Sequence, residues 1–348
     1  MISSGRFSSE LGFHPGHVHE WWYLNSHLAS RGNRRFGVAV IFFQRRLVFM
    51  ISDKDALVVL KRYEKSGVLG SAREGLNISF DSSRLMEVSR GSGKFELLVG
   101  ADDAELSLSL TAKKSPVALN GGGKVSEGVL GHSWYFALTN LEAHGVLKFG
   151  GEEHSVAGGA WLDKQWGNWD FGGMKGWDWF SLQLRDGNEL LILEPLHPLT
   201  GHPVSRLLTI DYGDSSVRTL SKFATRATER WTSPRTGISY GSAWEIVAPG
   251  TRLTARAHFG DQEVHEGLWE GCCQVEGILE NRPVTGEGYV EQLRRMPFAS
   301  PGRALLELWT APLHYAGQRL FLRENLGLGG KLTGARRRML RGEAGWRP

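Results

Sequence analysis

Cysteine is nearly absent: the 348 residues contain two thiols, Cys272 and Cys273. They are adjacent, and neighbouring side chains on a strand point to opposite faces, so they cannot build a disulfide framework, and a reducing compartment is expected. Long apolar runs are missing as well. The opening, from Met1 to Trp22, has no continuous apolar stretch of signal-peptide length, and no later segment approaches a membrane span; a cytoplasmic protein is expected. Neither sign of charge prevails, since 41 basic and 37 acidic residues are interspersed and leave a net charge of +4. That surface needs no polyanionic partner. Its one dense basic run, Arg336, Arg337, Arg338 and Arg341, reads as a solvated helix end, with peripheral membrane contact as the alternative.

Several catalytic signatures are missing too. Gly131-His132-Ser133-Trp134-Tyr135 lacks the second glycine of a serine-hydrolase elbow. Asn120-Gly121-Gly122-Gly123-Lys124 is followed by Val125 where a phosphate loop needs Ser or Thr, so it reads as a flexible loop. No cofactor is expected. Nucleic-acid stacking would need basic residues among the aromatics, whereas the tryptophans here neighbour acids, amides and glycine, so no nucleic-acid partner is expected.

What the sequence does have is period-two alternation. Phe36, Val38, Val40 and Phe42 alternate, as do Leu106, Leu108 and Leu110. Further strands are expected over 20–28, 95–99, 134–141, 177–184, 189–193, 244–247, 253–259 and 271–279. Turn residues sit between them at Arg31-Gly32-Asn33, Gly150-Gly151, Asp186-Gly187-Asn188 and Glu280-Asn281. The fold class is therefore all-β, a sandwich or antiparallel barrel, with one short helix expected over 331–341. With 41% hydrophobic residues over this length, two packed domains are expected, and Pro195-Leu196-His197-Pro198 is the natural break because its prolines interrupt a central strand.

Two clusters carry candidate chemistry. In His14-Pro15-Gly16-His17-Val18-His19-Glu20, three histidines precede an aromatic strand. Their spacing is not a zinc pattern, so hydrogen-bonding histidines at a barrel mouth are expected and no metal. In the second cluster, Trp161, Asp163, Gln165, Trp166 and Trp169 are followed by Trp177, Asp178 and Trp179. Interleaved Trp and Asp suit either an aromatic pocket punctuated by carboxylates or a buried hydrogen-bond network that fixes barrel geometry.

Taken in order, His17-Val18-His19-Glu20-Trp21-Trp22-Tyr23, Ala160-Trp161-Leu162-Asp163-Lys164-Gln165-Trp166-Gly167 and Gly176-Trp177-Asp178-Trp179-Phe180 resemble the carotenoid 1,2-hydratase (hydroxyneurosporene synthase) family and its AttH-like branch. Trp231-Thr232-Ser233-Pro234-Arg235, Trp269-Glu270-Gly271 and Gly286-Glu287-Gly288-Tyr289-Val290-Glu291 extend the resemblance over roughly residues 14–292. It implies two consecutive lipocalin-like antiparallel β-barrel domains, the first ending after the Trp-Asp-Trp strand. With the proline break, the expected segments are 1–197, 198–325 and a basic tail, 326–348. It also implies a lipophilic isoprenoid or polyketide-like ligand that is hydrated, cyclised or isomerised. One departure is that the family often reads Asp-His-Glu-Trp where this chain has Asp163-Lys164-Gln165-Trp166, and an amide cannot donate a proton as an acid.

The enzymatic reading assigns Asp163 or Asp178 as a proton donor with a pKa raised by burial, and Glu20 or Glu291 as the final acceptor. His19, Trp21, Tyr23, Trp161, Gln165, Trp166, Trp177, Trp179, Trp269 and Tyr289 would line the ligand, with Glu291. In a pericyclic variant the barrel supplies shape and Gln165 polarises a carbonyl. The rival class is a carrier or sensor of a lipid or pigment. A catalyst needs a pocket carboxyl unpaired with Lys or Arg, and Lys164, next to Asp163, should point to the opposite face. The site is expected on the interface side of the first barrel.

Overall fold

The structure is a computed structural model that describes residues 4–72, 75–126, 131–169, 174–197 and 200–294. The basic tail, with Arg336, Arg337, Arg338, Arg341 and the helix expected over 331–341, lies outside the described residues. A short helix, α1 (Ser4–Glu10), opens the chain where no helix was expected. The first sheet follows as β1 (His19–Ser30), β2 (Arg35–Phe43), β3 (Arg46–Asp53), β4 (Val58–Ser66), β5 (Gly70–Ser71), β6 (Asn77–Phe80), β7 (Ser83–Glu87), β8 (Lys94–Ala101), β9 (Ala104–Ala112), β10 (Val117–Ala118), β11 (Lys124–Ser126), β12 (Gly131–Phe149) and β13 (Glu152–Trp169). The second comprises β14 (Gly176–Leu184), β15 (Glu189–Leu196), β16 (Leu207–Asp211), β17 (Val217–Leu220), β18 (Ala224–Thr232), β19 (Ser239–Ala248), β20 (Thr251–Ala257), β21 (Glu263–His265), β22 (Leu268–Leu279) and β23 (Arg282–Arg294).

Each sheet is an antiparallel half-barrel. The first runs β4-β3-β2-β1-β13-β12-β9-β8-β7-β6-β5, and the second runs β17-β16-β15-β14-β23-β22-β20-β19-β18. The expected hairpins form at their turn residues. Gly150 and Gly151 (φ 57° and 82°), and likewise Glu280 and Asn281 (φ 48° and 66°), place both central residues in the left-handed region. That is the geometry of a two-residue turn whose twist matches the strands it joins. The segment around Asn120 departs from the expected loop: a 3-10 turn over Leu119–Gly121 leads into β11, which pairs with β12.

Strand burial depends on how many faces are covered. β9, Ala-Glu-Leu-Ser-Leu-Ser-Leu-Thr-Ala, alternates buried and exposed along most of its length, as a strand with one wet face must. β15 is buried at every position, and β1 at nearly every one. These central strands have one face in their own half-barrel and the other against the opposite sheet. Three apolar clusters result: one inside the first half-barrel around Trp22, Phe36 and Leu162, one inside the second around Phe180, Tyr240 and Trp269, and one between the sheets around Tyr23, Trp161, Trp179 and Tyr289. Cys272 belongs to the layer between the sheets and Cys273 to the second interior, so the adjacent thiols do face opposite ways.

The chain leaves the first sheet at Trp169 and enters the second at Gly176. This corrects two expectations. The prolines at 195–198 do not separate the sheets, and the Trp177-Asp178-Trp179 strand opens the second sheet instead of closing the first. Pro195 is tolerated in β15 because the pairing with β16 stops at Leu193, so the missing N–H costs no ladder bond on that side. Both sheets lie within one compact unit, Met1–Pro297. No helix among the described residues is long and apolar enough to cross a membrane.

Polar ties cross the layer between the sheets. Asn25 donates to Ser181 Oγ at 2.8 Å, Thr139 donates to Asp211 at 2.5 Å, and Lys54 reaches Glu287 at 3.0 Å. Beside Lys54, burial and then the lysine's charge push the His27 imidazole down to about 3, and the same causes bring His258 down to about 4.

Two outcomes follow for stability. An ideal Cβ on Gly158 would sit 1.9 Å from the His27 carbonyl oxygen in the neighbouring strand, so Gly158→Ala must push β13 from β1. A loss of about 1–3 kcal/mol is expected, read as a lower urea midpoint at unchanged slope. Second, His27 and His258 stay neutral in the folded chain down to about 3 and 4, whereas an unperturbed imidazole binds its proton at 6.5. The unfolded chain therefore binds more protons in that window, and stability present above 6.5 is lost as the pH falls towards 4. The melting temperature should drop over this range, and His27→Gln should flatten the slope; parallel slopes would acquit His27.

Candidate functional site

β1, β12 and β13 of the first sheet, and β14, β15 and β23 of the second, line a narrow, open-mouthed cleft between the sheets with a free volume of about 30 Å³. Period two decides which side chains reach it. On β13, Trp161, Asp163 and Gln165 face the cleft layer, while Leu162, Lys164 and Trp166 face the first half-barrel. On β14, Trp177 and Trp179 face the cleft and Phe180 the second interior. The walls are aromatic: Trp21 and Trp177 stack across the sheets at 6.1 Å, Trp169 meets Trp21 edge-on at 5.4 Å, and Tyr23 meets Trp179 edge-on at 4.9 Å.

Carboxyl groups punctuate those walls. Asp163 accepts from Tyr135 Oη at 2.5 Å and from Trp161 Nε1 at 2.8 Å, and Tyr135 itself accepts from Trp179 Nε1 at 2.6 Å. Glu291 accepts from Trp177 Nε1, and Glu270, directly across the β22–β23 ladder, accepts from Tyr23 Oη at 2.9 Å. Burial drives the Asp163 carboxyl well above the usual carboxylate range, with the nearby Glu291 adding to the rise and the two donors opposing it. Burial and then Glu291 do the same to Glu270, and burial raises Glu291. Tyr23 and Tyr135 are likewise raised well above the ordinary phenol, by burial first, so both remain donors. Among the described residues no Lys or Arg pairs with Asp163, Glu270 or Glu291. The cleft thus stores protons on carboxyls in an apolar, aromatic surround, an arrangement able to protonate a bound molecule and receive a proton back.

The expected site residues separate into groups. Asp163, Trp21, Tyr23, Gln165, Trp177, Trp179 and Glu291 line the cleft, and Gln165 donates to Ser133 Oγ at 2.9 Å. Trp161 lies behind Asp163 as its donor, and Tyr289 sits further along the layer between the sheets, its ring 5.1 Å from that of His27. His19 touches the rim, 3.1 Å from the Trp169 carbonyl oxygen.

The others are elsewhere. Asp178 projects away from the cleft and is ion-paired with Arg294, so it is not the free acid expected. Glu20 lies in the first half-barrel, ion-paired with Lys164 and accepting from the His14 backbone at 2.9 Å and its ring at 3.0 Å. Burial works to raise Glu20, but His14 and Lys164 together hold it below its usual range, the wrong direction for a proton store. Trp166 stacks under His14 at 3.8 Å in that same interior, and Trp269 lies in the second interior, donating to the Gly260 carbonyl oxygen at 2.7 Å. The three clustered histidines have separate partners, Glu20, Asn168 and Trp169, and among the described residues no three His, Cys, Asp or Glu side chains are grouped as metal ligands.

Trp169 of the Trp-Asp cluster also lines the cleft, and residues the sequence reading did not assign to the site complete it: Tyr135, Glu270, Met174, Leu193 and Pro195. Alternation along 133, 135 and 137 would have put Tyr135 on one face, but nothing local ties that face to Asp163. Register does: Tyr135 is opposite Gln165. Lys164, as expected, points away from Asp163; its ammonium sits 3.4 Å from the Trp22 ring centroid, and burial lowers it to about 7.

This fold and cleft define a class: paired half-barrels holding an aromatic, proton-bearing cavity between them. The AttH-like family profile matches residues 3–293, and the chain belongs to that family. A structure assigned as AttH from Nitrosomonas europaea superposes with a TM-score of 0.73 at 20% identity, covering 82% of this chain and 96% of that one. Kievitone hydratase from Nectria haematococca gives 0.71 at 19% identity, covering 85% and 96%. CghA, solved with Sch210972, gives 0.54 at 14% identity, covering 80% and 89%. These likenesses establish the fold. No curated protein matches the sequence.

If Glu20 is structural, removing its counter-charge must be costly. Lys164→Met leaves a buried carboxylate with only His14 as partner and should destabilise the protein by about 3–5 kcal/mol in urea, while ligand binding to the folded fraction persists.

Proposed function

We propose that this chain binds a lipophilic polyene, of the isoprenoid or polyketide-like class, in the cleft between the sheets and adds water to it, or cyclises or isomerises it, by acid catalysis without a redox cofactor. The observation that carries this reading is the set of buried carboxyls at an aromatic cleft, Asp163 and Glu291 lining it and Glu270 behind Glu291, with no basic partner among the described residues. A carrier needs the aromatic walls and acceptors for their N–H and O–H tips, but amide oxygens would serve it without the desolvation cost that a carboxyl carries when it ionises. The shared fold with kievitone hydratase is consistent with water addition.

In this reading Asp163 donates its proton to one carbon of an alkene, the π pair forming the new C–H bond and leaving a carbocation at the adjacent, more substituted carbon. The faces of Trp21, Trp177 and Trp179 stabilise that charge. Water attacks the cation, and its extra proton passes to Glu291, giving an alcohol one water heavier than the substrate. If a second alkene of the ligand attacks instead, a ring closes and Glu291 removes a proton from the new cation, giving an isomer. Exchange with solvent returns Asp163 and Glu291 to their starting states. Gln165, held by Ser133, orients the ligand by hydrogen bonding.

The test is incubation of the purified protein with a panel of linear isoprenoids and polyenes, followed by mass spectrometry of bound material and products. Asp163→Asn should lower turnover by about 10²–10⁴-fold while tryptophan fluorescence still reports binding. Asp178→Asn should leave turnover nearly unchanged in the folded fraction, since its carboxylate faces Arg294 and not the cleft. Tight binding across the panel with no conversion would overturn the enzymatic reading in favour of a carrier.

A further inference from the structure

Glu270 and Glu291 stand directly opposite one another on β22 and β23, on the face that packs against the first sheet. Glu270 is fully buried and Glu291 nearly so. Like charges directly opposite on a ladder repel, and among the described residues no cation is paired with either to offset the repulsion. Counting hydrogen bonds makes the same point. Glu270 Oε2 accepts from Tyr23 and Glu291 Oε1 from Trp177, yet Glu270 Oε1, buried, has no donor among the described residues. Buried side by side on adjacent strands, with no cation paired to either among the described residues, the two carboxyls are costly to ionise together, which favours one proton between them.

We propose that Glu270 and Glu291 hold a single proton between them and titrate as one unit, with Glu270 as a positioning residue that makes Glu291 the proton acceptor of the cleft. Only Glu291 lines the cleft; Glu270 stands behind it and reaches the cavity through its partner. With the proton resting on Glu270 and donated to Glu291, the charge is spread over two carboxyls and steadied by the Tyr23 hydroxyl and the Trp177 N–H. The acceptor then carries its charge in a dry site because Glu270 donates a hydrogen bond to it. The other titratable groups near the pair are Tyr23 from β1, Tyr135 from β12, Asp163 from β13 and Tyr289 from β23, all acids that are neutral when protonated, so none can neutralise it. The pair's part in turnover rests on the reading above; its one-proton titration does not.

The measurement is infrared difference spectroscopy of the ligand-free protein over a pH titration, following the carbonyl stretch of protonated carboxyl groups. In the parent protein the pair should contribute one such band that persists above the ordinary carboxylate range. The same band should vanish at neutral pH in Glu270→Gln and change in Glu291→Gln, and in Glu270→Gln the titration of Glu291 should move down by more than about one pH unit, because its like-charged neighbour is gone. Asp163→Asn should leave the band in place. Tyr23→Phe, which removes one donor from the charged pair, should shift its titration upward in a chain whose fold is checked by circular dichroism. Two independent bands, each lost only with its own residue, or a Glu291 titration unmoved by Glu270→Gln, would refute the shared proton whether or not any substrate is ever converted.

Discussion

The structure depends on one packing constraint: the central strands of both sheets are covered on both faces. A strand in that position cannot use the usual division into a dry side and a wet side, so the two residue sets must suit two different interiors. Aliphatic and phenyl side chains fill the half-barrels together with a few indoles such as Trp22 and Trp269, whereas the layer between the sheets combines its tryptophans and tyrosines with carboxyl groups that have no basic partner among the described residues. Large aromatic rings suit that layer because they span the gap between two curved sheets and carry an N–H or O–H at the far end. Each such polar tip needs an acceptor, and the carboxyls supply it: Trp161 and Tyr135 at Asp163, Trp177 at Glu291, Tyr23 at Glu270. The acids of the cleft are therefore consequences of the same packing that holds the sheets together.

This way of satisfying carboxyls differs from ion pairing, and both occur in the one chain. Glu20 meets Lys164 and Asp178 meets Arg294, each inside or beside a half-barrel. Asp163, Glu270 and Glu291 receive only neutral donors. A neutral N–H stabilises a carboxylate less than an ammonium does, so burial wins and all three are shifted upward. The partner, more than the depth of burial, sets the direction in which a buried acid shifts here: Glu20 and Asp163 are both buried and shift in opposite directions.

How much of this was legible beforehand depends on sequence distance. Strands whose alternation is local, such as 36–42 and 106–110, and hairpins marked by Gly150-Gly151 or Glu280-Asn281, are readable because strand and turn signals lie within a few residues. Strands covered on both faces lose that signal, and β13 went unrecognised as one continuous strand through the Trp161–Trp166 motif. The sheet boundary was misplaced because prolines in sequence look alike whether or not a ladder continues past them, and Pro195 lies beyond the end of the β15–β16 ladder. For the cleft, Asp163 could be picked out from its tryptophan neighbours, but Asp178 has the same neighbours and the opposite face. Tyr135 and Glu270 join the site through pairing partners 30 and 21 residues away, Gln165 and Glu291, which no local pattern announces.

The dipeptide Asp163-Lys164 has a consequence for folding fidelity. Because side chains alternate, a slip of β13 by one residue against β1 would send the lysine into a cavity lined with acids and the aspartate beneath Trp22, far from any tryptophan N–H placed to receive it. Glu20 would lose its counter-ion in the same movement. Hydrophobic side chains alone would resist such a slip weakly here, since both faces of the strand are buried and both accept bulk. An acid and a base on consecutive residues thus act as a proofreading mark for strand register, because the misaligned sheet would bury Asp163 beside Glu20 with the lysine gone from between them.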